Sequence, residues 1–250
     1  MSITIVANEP EFHSIAAWRI ITEIQSNPQA VIGLSTGQTT KEIHATVSQI
    51  YQMYPFDASG ITFFGVDEVI NVPRDYYGSC YTMLKTQLID NLGIAENNFV
   101  MPPTISDDMD RECQKFQETL MSRGGIDLQI LGLGMNGHIG FNQPGSSFEN
   151  ETWLSEMDEA LESRIRKELE LPDEHKLFGL TLGIKNIMKA RKIILAVKGK
   201  SKAEIVKQVI EGPVTNEVPA SILQLHPNCE FLLDSDAASL LTTVKEKIRV

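Results

Sequence analysis

The sequence predicts an α/β fold in which a mainly parallel β-sheet is covered by helices on both faces. Several short runs of Val, Ile, Leu and Phe occur along the chain, and such runs are typical of strands buried on both faces. Between them, apolar residues recur at spacings of three and four, which is typical of amphipathic helices. Because strands and helices alternate, the strands are expected to pair in parallel. The 250 residues, 42% of them hydrophobic, support one domain spanning residues 1–250, with no repeat or linker.

In the first half of the chain, each predicted strand is one of the short apolar runs. These strands cover residues 3–7, 30–34 and 61–66, and a long loop follows the third. The first helix begins near residue 10, and its apolar stripe contains Phe12, Ala16 and Ile20. Further helices are predicted at residues 41–51, 79–91 and 107–122, the last of which ends at two glycines.

In the second half, the strand at residues 126–131 leads into a glycine-rich loop. A highly charged helical segment covers residues 155–170, and Pro172 marks its end. The remaining predicted elements are helices at 184–190, 201–211, 219–225 and the C-terminus, and strands at 192–197 and 230–233. This order predicts a Rossmann-like three-layer α/β/α sandwich with a mainly parallel sheet.

The composition excludes several classes of partner. A formal net charge of −11 argues against binding to nucleic acid or to an anionic membrane. No apolar stretch approaches the roughly 20 residues of a membrane span, and the N-terminus does not resemble a signal peptide. The three cysteines are far apart and odd in number, which indicates free thiols in a reducing compartment. We therefore expect a cytoplasmic protein; the sequence leaves open whether it is a monomer or a homo-oligomer.

The glycine-rich loop at residues 132–145 has the composition of a binding site. Its first six residues, Gly-Leu-Gly-Met-Asn-Gly, formally match the dinucleotide-binding fingerprint. That fingerprint requires a helix within the motif and an acidic residue at the tip of the next strand, and this chain has neither feature there. A nicotinamide cofactor is therefore not predicted. His138, with Asn136 and Gln143 nearby, supplies an acid/base group and hydrogen-bonding partners; the alternative is one buried, structural histidine.

Two further loops indicate an anion site. Ser35, Thr36, Gly37, Gln38 and Thr39 join a strand to a helix, where backbone N–H groups and hydroxyls favour an anion such as a monophosphate; ordinary helix capping is the alternative. Ser201 and Glu204 fit a capping box at the helix beginning near residue 201. The box leaves Lys202 unexplained, because a cation in a first turn opposes the helix dipole.

Asp67 and Glu68 follow a very apolar strand. A carboxylate there caps the next turn or, inside a poorly hydrated crevice, has a raised pKa that suits a general base. No second His or Cys stands at metal-ligand spacing from His138, so neither a metal nor another cofactor is predicted. Because ligands bind beyond the carboxyl ends of parallel strands, these loops are expected to meet at one site.

Together these stretches resemble the glucosamine-6-phosphate deaminase/isomerase family, which shares its fold with 6-phosphogluconolactonases. The resemblance spans nearly the whole chain, and Phe-Asn-Gln-Pro at residues 141–144 favours the deaminase branch. Gly-Ser-Cys at 78–80, Asn136 and Thr-Leu-Gly-Ile-Lys at 181–185 look closer to a galactosamine-6-phosphate subgroup. The stretches that carry the family resemblance are residues 34–39, 66–68, 131–145, 199–203 and 219–226.

The resemblance implies a ketol isomerisation with deamination, which converts an amino-sugar 6-phosphate to a ketose 6-phosphate and ammonia. Asp67 would move a proton between C2 and C1, and His138 would open the pyranose ring. The loop at residues 36–39 and Lys202 would hold the phosphate, together with Arg164 or Arg166. The family also places a flexible lid here at about residues 150–175; as an alternative, the charged residues of this segment suit a solvated surface helix.

This chain departs from the family at two positions, since the glucosamine enzymes carry Asp and Glu where it has Asn136 and Gln143. We expect this loss of charge to lower the pKa of His138 relative to the family and to slow ring opening or change the sugar. Two alternatives stay open: a 6-phosphogluconolactonase-type hydrolase and a catalytically weakened sugar-phosphate sensor.

Overall fold

The computed structural model describes residues 1–242 and contains two sheets in that range. The larger is a seven-stranded, all-parallel sheet with the order β1-β10-β9-β6-β2-β3-β5. The smaller has the order β4-β8-β7 and is antiparallel. The strands are β1 (Ser2–Val6), β2 (Val31–Leu34), β3 (Thr62–Gly65), β4 (Asp67–Ile70), β5 (Phe99–Val100), β6 (Leu128–Leu131), β7 (Trp153–Ser155), β8 (Phe178–Thr181), β9 (Lys192–Val197) and β10 (Cys229–Asp234).

Helices cover both faces of the parallel sheet. The α-helices are α1 (Glu9–Ser26), α2 (Gln38–Met53), α3 (Cys80–Leu84), α4 (Met109–Ser122), α5 (Glu159–Leu169), α6 (Ile184–Ile187) and α7 (Ala203–Glu211). A π-helix, Lys85–Ile89, continues α3, and 3-10 helices cover Glu96–Asn98, Lys200–Lys202 and Pro219–Leu225.

Two hydrophobic clusters separate the layers. The apolar stripes of α1 and α2 pack with Ile32 and Leu34 of β2 on one face of the sheet. On the other face, α4 and α7 pack with Leu131 and neighbouring strand residues. The strands between them are buried on both faces, as their unbroken apolar sequences predict. The predicted three-layer α/β/α fold is therefore confirmed.

The smaller sheet was not predicted. Each of its strands has only three or four residues, too few for a clear periodicity. One residue, Val66, joins it to the parallel sheet: its N–H donates to the Leu34 carbonyl at 2.9 Å, and its carbonyl accepts from the Leu182 N–H at 2.8 Å. The prediction of a loop directly after Asp67 and Glu68 is therefore wrong, because both residues begin β4 and pair with β8.

Several predicted elements differ in extent or type. The helix predicted at 79–91 changes to π-helical geometry within its length, and the one predicted at 219–225 is a 3-10 helix. The charged segment 155–170 consists of the end of β7 and then α5. Residues 235–240 form turns, and the rest of the predicted C-terminal helix lies outside the described residues. None of the helices in residues 1–242 combines the length and apolar character needed to cross a bilayer.

Candidate active site

A cavity of about 550 Å³ opens where loops leave the carboxyl ends of the central strands. Its wall contains nine residues that the sequence analysis predicted for the site: Ser35, Thr36, Gly37, Gln38, Thr39, Asp67, His138, Arg164 and Lys202. Asn136 and Gln143 stand behind His138 rather than in the cavity wall, and Arg166 does not line the cavity. These residues come from five separate parts of the chain, so the predicted meeting of the loops is observed.

The loop from β2 to α2 presents a helix N-terminus to the cavity. Gly37 is the N-cap residue of α2, with φ 142°, and no side chain within residues 1–242 caps the helix. No acidic residue occupies its first turn. The first N–H groups of a helix lack intrahelical partners and carry partial positive charge. The capping interpretation is therefore not what the structure shows, and the loop has the features of an anion site.

Lys202 reaches the same cavity from another helix. The capping box predicted for Ser201 and Glu204 is wrong, because residues Lys200–Lys202 form a 3-10 turn and Lys202 itself is the N-cap residue of α7. The Lys202 Nζ donates to the Leu133 carbonyl at 2.7 Å, and burial lowers its pKa. In residues 1–242 no carboxylate lies within ion-pair distance of this ammonium. The ammonium therefore has positive charge available for an anion.

Asp67 supplies a buried carboxyl group to the cavity and is only 6% exposed. Its pKa is raised to about 7: burial is the largest cause, the negative charge of Glu68 also raises it, and a hydrogen bond from the Cys80 thiol lowers it. That thiol lies 3.6 Å from the Asp67 Oδ1. A buried carboxyl group that titrates near neutrality is suited to proton transfer.

Glu68, the adjacent carboxyl group, is fully buried and accepts hydrogen bonds from backbone N–H groups of β4 and α3. Its Oε1 accepts from the N–H groups of Val69 and Cys80 at 2.8 Å, and its Oε2 accepts from that of Tyr81 at 2.7 Å. Burial raises the pKa of Glu68, and these three donors lower it. Among the described residues, three backbone N–H groups donate to Glu68 and one thiol donates to Asp67, so hydrogen bonds favour the ionised form more strongly at Glu68. Glu68 thus fixes the start of α3 against β4. The sequence alone could not show that Glu68 has this structural role while Asp67 lines the cavity.

The loop that carries His138 comes close to Asp67 at Gly140. This glycine has φ +56°, and a Cβ added there would lie 2.7 Å from the Thr181 Oγ1 and 3.4 Å from the Asp67 Oδ2. A side chain would therefore strain the backbone and displace neighbours. The absence of a Cβ allows the backbone, two residues from His138, to lie beside the carboxyl group.

The tautomer of His138 follows from its contacts with Asn136. The backbone N–H of His138 donates to the Asn136 Oδ1 at 3.2 Å, which fixes the orientation of the amide. The His138 Nδ1 lies 2.7 Å from the same oxygen, so Nδ1 carries the proton. The other ring nitrogen, Nε2, therefore has a free lone pair in the neutral imidazole. The Asn136 amide in turn donates to the Gln143 Oε1 at 3.0 Å.

The pKa of His138 is lowered, and burial is the largest cause. The charge of Asp158 and the amide of Gln143 raise this pKa, and the charge of Lys202 lowers it. The neutral imidazole is therefore favoured near pH 7. The sequence argument attributed a lowered pKa to missing carboxylates, and the structure adds desolvation as a second physical cause.

Helix α5 covers part of the cavity and distinguishes the two candidate arginines. Leu161 and Arg164, one turn apart, line the cavity together with the N-cap residue Asp158. Arg166 instead donates to Glu162 and to the Pro172 carbonyl. The surface-helix interpretation is incomplete, because Ile165 is fully buried in a separate apolar cluster beneath α5.

The sequence missed part of the cavity wall. Cys80 and Met83 of α3 and Gln87 of the π-helix line it, but only the subgroup resemblance had singled out Cys80. The Cys80 Sγ also lies 3.3 Å from the Thr36 Oγ1. No spacing signal predicts such contacts, which depend on how α3 meets the end of β2. In the part of the chain from residue 1 to 242, no three His, Cys, Asp or Glu side chains are grouped to hold a metal ion.

Known proteins with similar sequences cover nearly the whole chain. Residues 12–231 match the family model described as glucosamine-6-phosphate isomerases/6-phosphogluconolactonase. The chain is 35% identical over 241 residues to a glucosamine-6-phosphate deaminase of Thermoanaerobacter pseudethanolicus, covering 96% of this chain and 95% of that protein. It is 34% identical to a glucosamine-6-phosphate deaminase of Clostridium perfringens, covering 96% of this chain and all of that protein.

Solved structures show the same architecture. One, a monomeric glucosamine-6-phosphate deaminase of the NagB superfamily, superposes with a TM-score of 0.88 at 32% identity, covering 96% of this chain and all of that one. Another, a 6-phosphogluconolactonase from Trypanosoma brucei, superposes with a TM-score of 0.78 at 24% identity, covering 96% of this chain and 98% of that one. At that identity the second likeness concerns the fold alone.

Proposed function

The chain belongs to the glucosamine-6-phosphate isomerase/6-phosphogluconolactonase family, and from this premise we propose that it is an amino-sugar-6-phosphate deaminase/isomerase. The reaction takes an amino-sugar 6-phosphate and water to a ketose 6-phosphate and ammonia. Support comes from the relatives named glucosamine-6-phosphate deaminase, which match over nearly the full length of both chains.

The observation that carries the proposal is the position of Asp67. Its buried carboxyl group, with a pKa raised to about 7, lines the same cavity as His138 and the uncapped N-terminus of α2. A phosphate at one end and a proton-transfer group further along are what an isomerase of a phosphorylated sugar requires. Binding energy from the phosphate, which does not react, orients the sugar carbons against the base.

In the proposed complex, the phosphate lies at the N-terminus of α2. The N–H groups of Gln38 and Thr39 donate to it, and the ammonium of Lys202 and the guanidinium of Arg164 supply positive charge. This local charge is needed because the chain as a whole carries −11.

Ring opening is proposed for His138. The Nε2 lone pair accepts the proton of the anomeric hydroxyl, and the same nitrogen then delivers it to the ring oxygen, so that the open aldehyde forms. Asn136 holds Nδ1–H and thereby keeps Nε2 as the acceptor. A histidine that starts neutral is ready for this step near pH 7.

Isomerisation is proposed for Asp67. The carboxylate removes the proton from C2 of the open aldehyde while the C1 oxygen takes a proton from solvent, which gives the enolamine. The carboxyl group then returns its proton to C1, which gives the protonated ketimine. Water adds to C2 of the ketimine and ammonia leaves, so one water is consumed for each ammonia released. A positioned base of this kind contributes about 10²–10⁴-fold to the rate.

We further propose that residues 150–175 act as a lid. Helix α5 places Asp158, Leu161 and Arg164 against the cavity while it packs on an apolar cluster separate from the two main ones. Opening would admit the sugar, and closure would exclude water from the enolamine. The choice between glucosamine and galactosamine 6-phosphate is proposed to rest on the features at residues 78–80, 136 and 181–185 that resemble the galactosamine subgroup.

A three-substrate assay tests the function. The protein is incubated with glucosamine 6-phosphate, galactosamine 6-phosphate or 6-phosphogluconolactone, and ammonia and acid release are measured. We expect ammonia from an amino sugar, and none from Asp67→Asn under the same conditions. Acid release from the lactone alone would replace the proposal with a lactonase. Tight binding without turnover would replace it with a sugar-phosphate sensor.

A further inference from the structure

Cys80 lies in the cavity wall, and the proposed mechanism assigns it no part. It is 2% exposed and is the first residue of the short helix α3. Its Sγ lies 3.6 Å from the Asp67 Oδ1 and 3.3 Å from the Thr36 Oγ1. The thiol therefore stands between the proposed base and the proposed phosphate loop, and it contacts both.

The backbone at Cys80 is also held by hydrogen bonds. The Glu68 Oε1 accepts the Cys80 N–H at 2.8 Å, and the Ser79 side chain caps α3 by accepting from the Thr82 N–H. Two adjacent carboxyl groups, those of Asp67 and Glu68, thus contact the same residue. Because the backbone is held by one of them, the thiol is directed at the other.

The donors and acceptors in this chain of contacts can be assigned. A thiol has one proton, and burial together with the charges of Glu68 and Asp67 raises the pKa of Cys80 well above its ordinary value. The S–H therefore donates to the Asp67 carboxylate. The Thr36 hydroxyl must then donate to the sulfur, which strengthens the S–H as a donor.

We propose that Cys80 is a positioning residue, whose thiol holds the Asp67 carboxylate in the cavity and links it to Thr36 of the phosphate loop. A thiol is a weak donor, so it orients the carboxylate while leaving it basic enough to remove a carbon-bound proton. This inference rests on the proposed function for its kinetic consequence but not for its structural one.

Other groups near Asp67 must be held constant in a test. The charge of Glu68 acts on it from the same strand, and the Cys80 thiol contacts it from α3. Charged or titratable groups elsewhere in the cavity wall come from α2, the glycine-rich loop, α5 and the start of α7: Lys41, His138, Asp158, Arg164 and Lys202. Substitutions at position 80 leave all of them in place, so a change in the titration of Asp67 reports on the thiol.

The first experiment follows Asp67 without any substrate. The Asp67 carboxyl ¹³C signal, assigned by its loss in Asp67→Asn, is titrated in the wild-type chain, Cys80→Ser and Cys80→Ala. A hydroxyl donates more strongly than a thiol, so Cys80→Ser should lower the pKa of Asp67 by about one pH unit. Cys80→Ala removes the donor and should raise it. Cys113→Ala, at a buried cysteine in α4 outside the cavity wall, controls for loss of a core thiol and should leave it unchanged.

A second measurement uses turnover of the amino sugar. The acid limb of kcat/KM should move in the same two directions, so that at a pH below the limb Cys80→Ser is up to about tenfold faster, relative to its own maximum, than the wild-type chain. Thr36→Val removes the donor to sulfur and should raise the pKa of Asp67, by less than Cys80→Ala does.

The outcomes distinguish the positioning role of Cys80 from the proposed function of the protein. Opposite shifts in Cys80→Ser and Cys80→Ala support a positioning thiol. If the pKa of Asp67 shifts in the same direction in both variants, or does not shift in folded variants, the positioning role is overturned even if ammonia is produced. An unchanged pKa of Asp67 in Thr36→Val overturns the link to the phosphate loop. Absence of ammonia from the wild-type chain would overturn the proposed function, while the carboxyl titration would still decide the role of Cys80.

Discussion

The imidazole of His138 lies directly against the backbone of Gly134. A Cβ added at Gly134 would come within 2.3 Å of the His138 Nδ1, closer than atoms can approach. The Gly134 N–H also donates to the His138 carbonyl at 2.9 Å. The position of the ring in the cavity therefore depends on the absence of a side chain four residues earlier.

Gly134→Ala should displace the imidazole and lower kcat by about 100-fold, because a misplacement of about 1 Å can cost that much. Gly132→Ala is the matched comparison, since among the described residues its new Cβ would meet only the Thr40 Cγ2, at 3.9 Å. The ring signals of His138 in NMR spectra should move in the first variant and stay in the second. Unmoved ring signals in folded Gly134→Ala would contradict the packing argument.

Asn136→Asp should raise the pKa of His138 above that of the unaltered chain. The new carboxylate would occupy the position of an amide whose oxygen already accepts from Nδ1, and a negative charge there favours the imidazolium. NMR titration of the ring measures the change, and ¹⁵N shifts of the neutral ring in the unaltered chain should show the proton on Nδ1. An unchanged or lower pKa in the variant would refute this account of Asn136.

Asp67→Asn should abolish turnover and stabilise the fold at alkaline pH. The folded-state pKa of Asp67, about 7, exceeds the ordinary value of 3.8, so the native state binds the extra proton between these values. Wild-type stability therefore falls relative to the variant as pH rises from about 4 to 7, by on the order of a few kcal/mol. Urea unfolding at pH 4 and pH 8 measures the difference. If the variant is no more stable than the wild-type chain at pH 8, the ionised Asp67 does not destabilise the folded state.

The same pKa sets the direction of the rate profile. Asp67 must be ionised to remove a proton, so kcat/KM should fall as pH decreases below about 7. Initial rates of ammonia release between pH 5 and 9 test this. A rate that stays constant down to pH 5 would exclude Asp67, as described, from the role of base.

Lys202→Met should raise KM by about 10- to 100-fold, which corresponds to a lost hydrogen bond from a charged donor, with a smaller effect on kcat. Lys200→Met removes the same charge from an exposed residue outside the cavity wall and serves as its control. Protection of the two variants by inorganic phosphate in thermal unfolding gives a second measurement. Equal KM values for the two variants would remove Lys202 from the anion pocket.

Arg164 and Arg166 should behave differently although they share a helix and a charge. Arg164→Ala should raise KM by about tenfold, because this side chain lines the cavity. Arg166→Ala should instead lower the melting temperature, since it loses hydrogen bonds to Glu162 and to the Pro172 carbonyl. A KM effect confined to Arg166→Ala would reverse the assignment.

The parallel sheet and the residues that meet at its edge could be predicted because each signal is local. A buried strand, a Ser-Thr-Gly loop and a Gly-His loop are each readable in a few residues, and parallel strands bring their carboxyl ends together. The choice between Arg164 and Arg166 was also available in principle, because Asp158, Leu161 and Arg164 share one helical face. The smaller sheet and the contacts of Cys80 could not be predicted, because they join segments far apart in sequence through short strands and a single side chain.

Val66, alone between β3 and β4, is bonded to one sheet through its N–H and to the other through its carbonyl. Successive side chains of a strand point in opposite directions. Inserting or deleting one residue at this point would exchange the directions of the two carboxyl groups that follow, sending Glu68 toward the cavity and Asp67 toward the backbone of α3. Loops elsewhere on the protein can change length over evolution, whereas here the residue count itself is expected to be under selection.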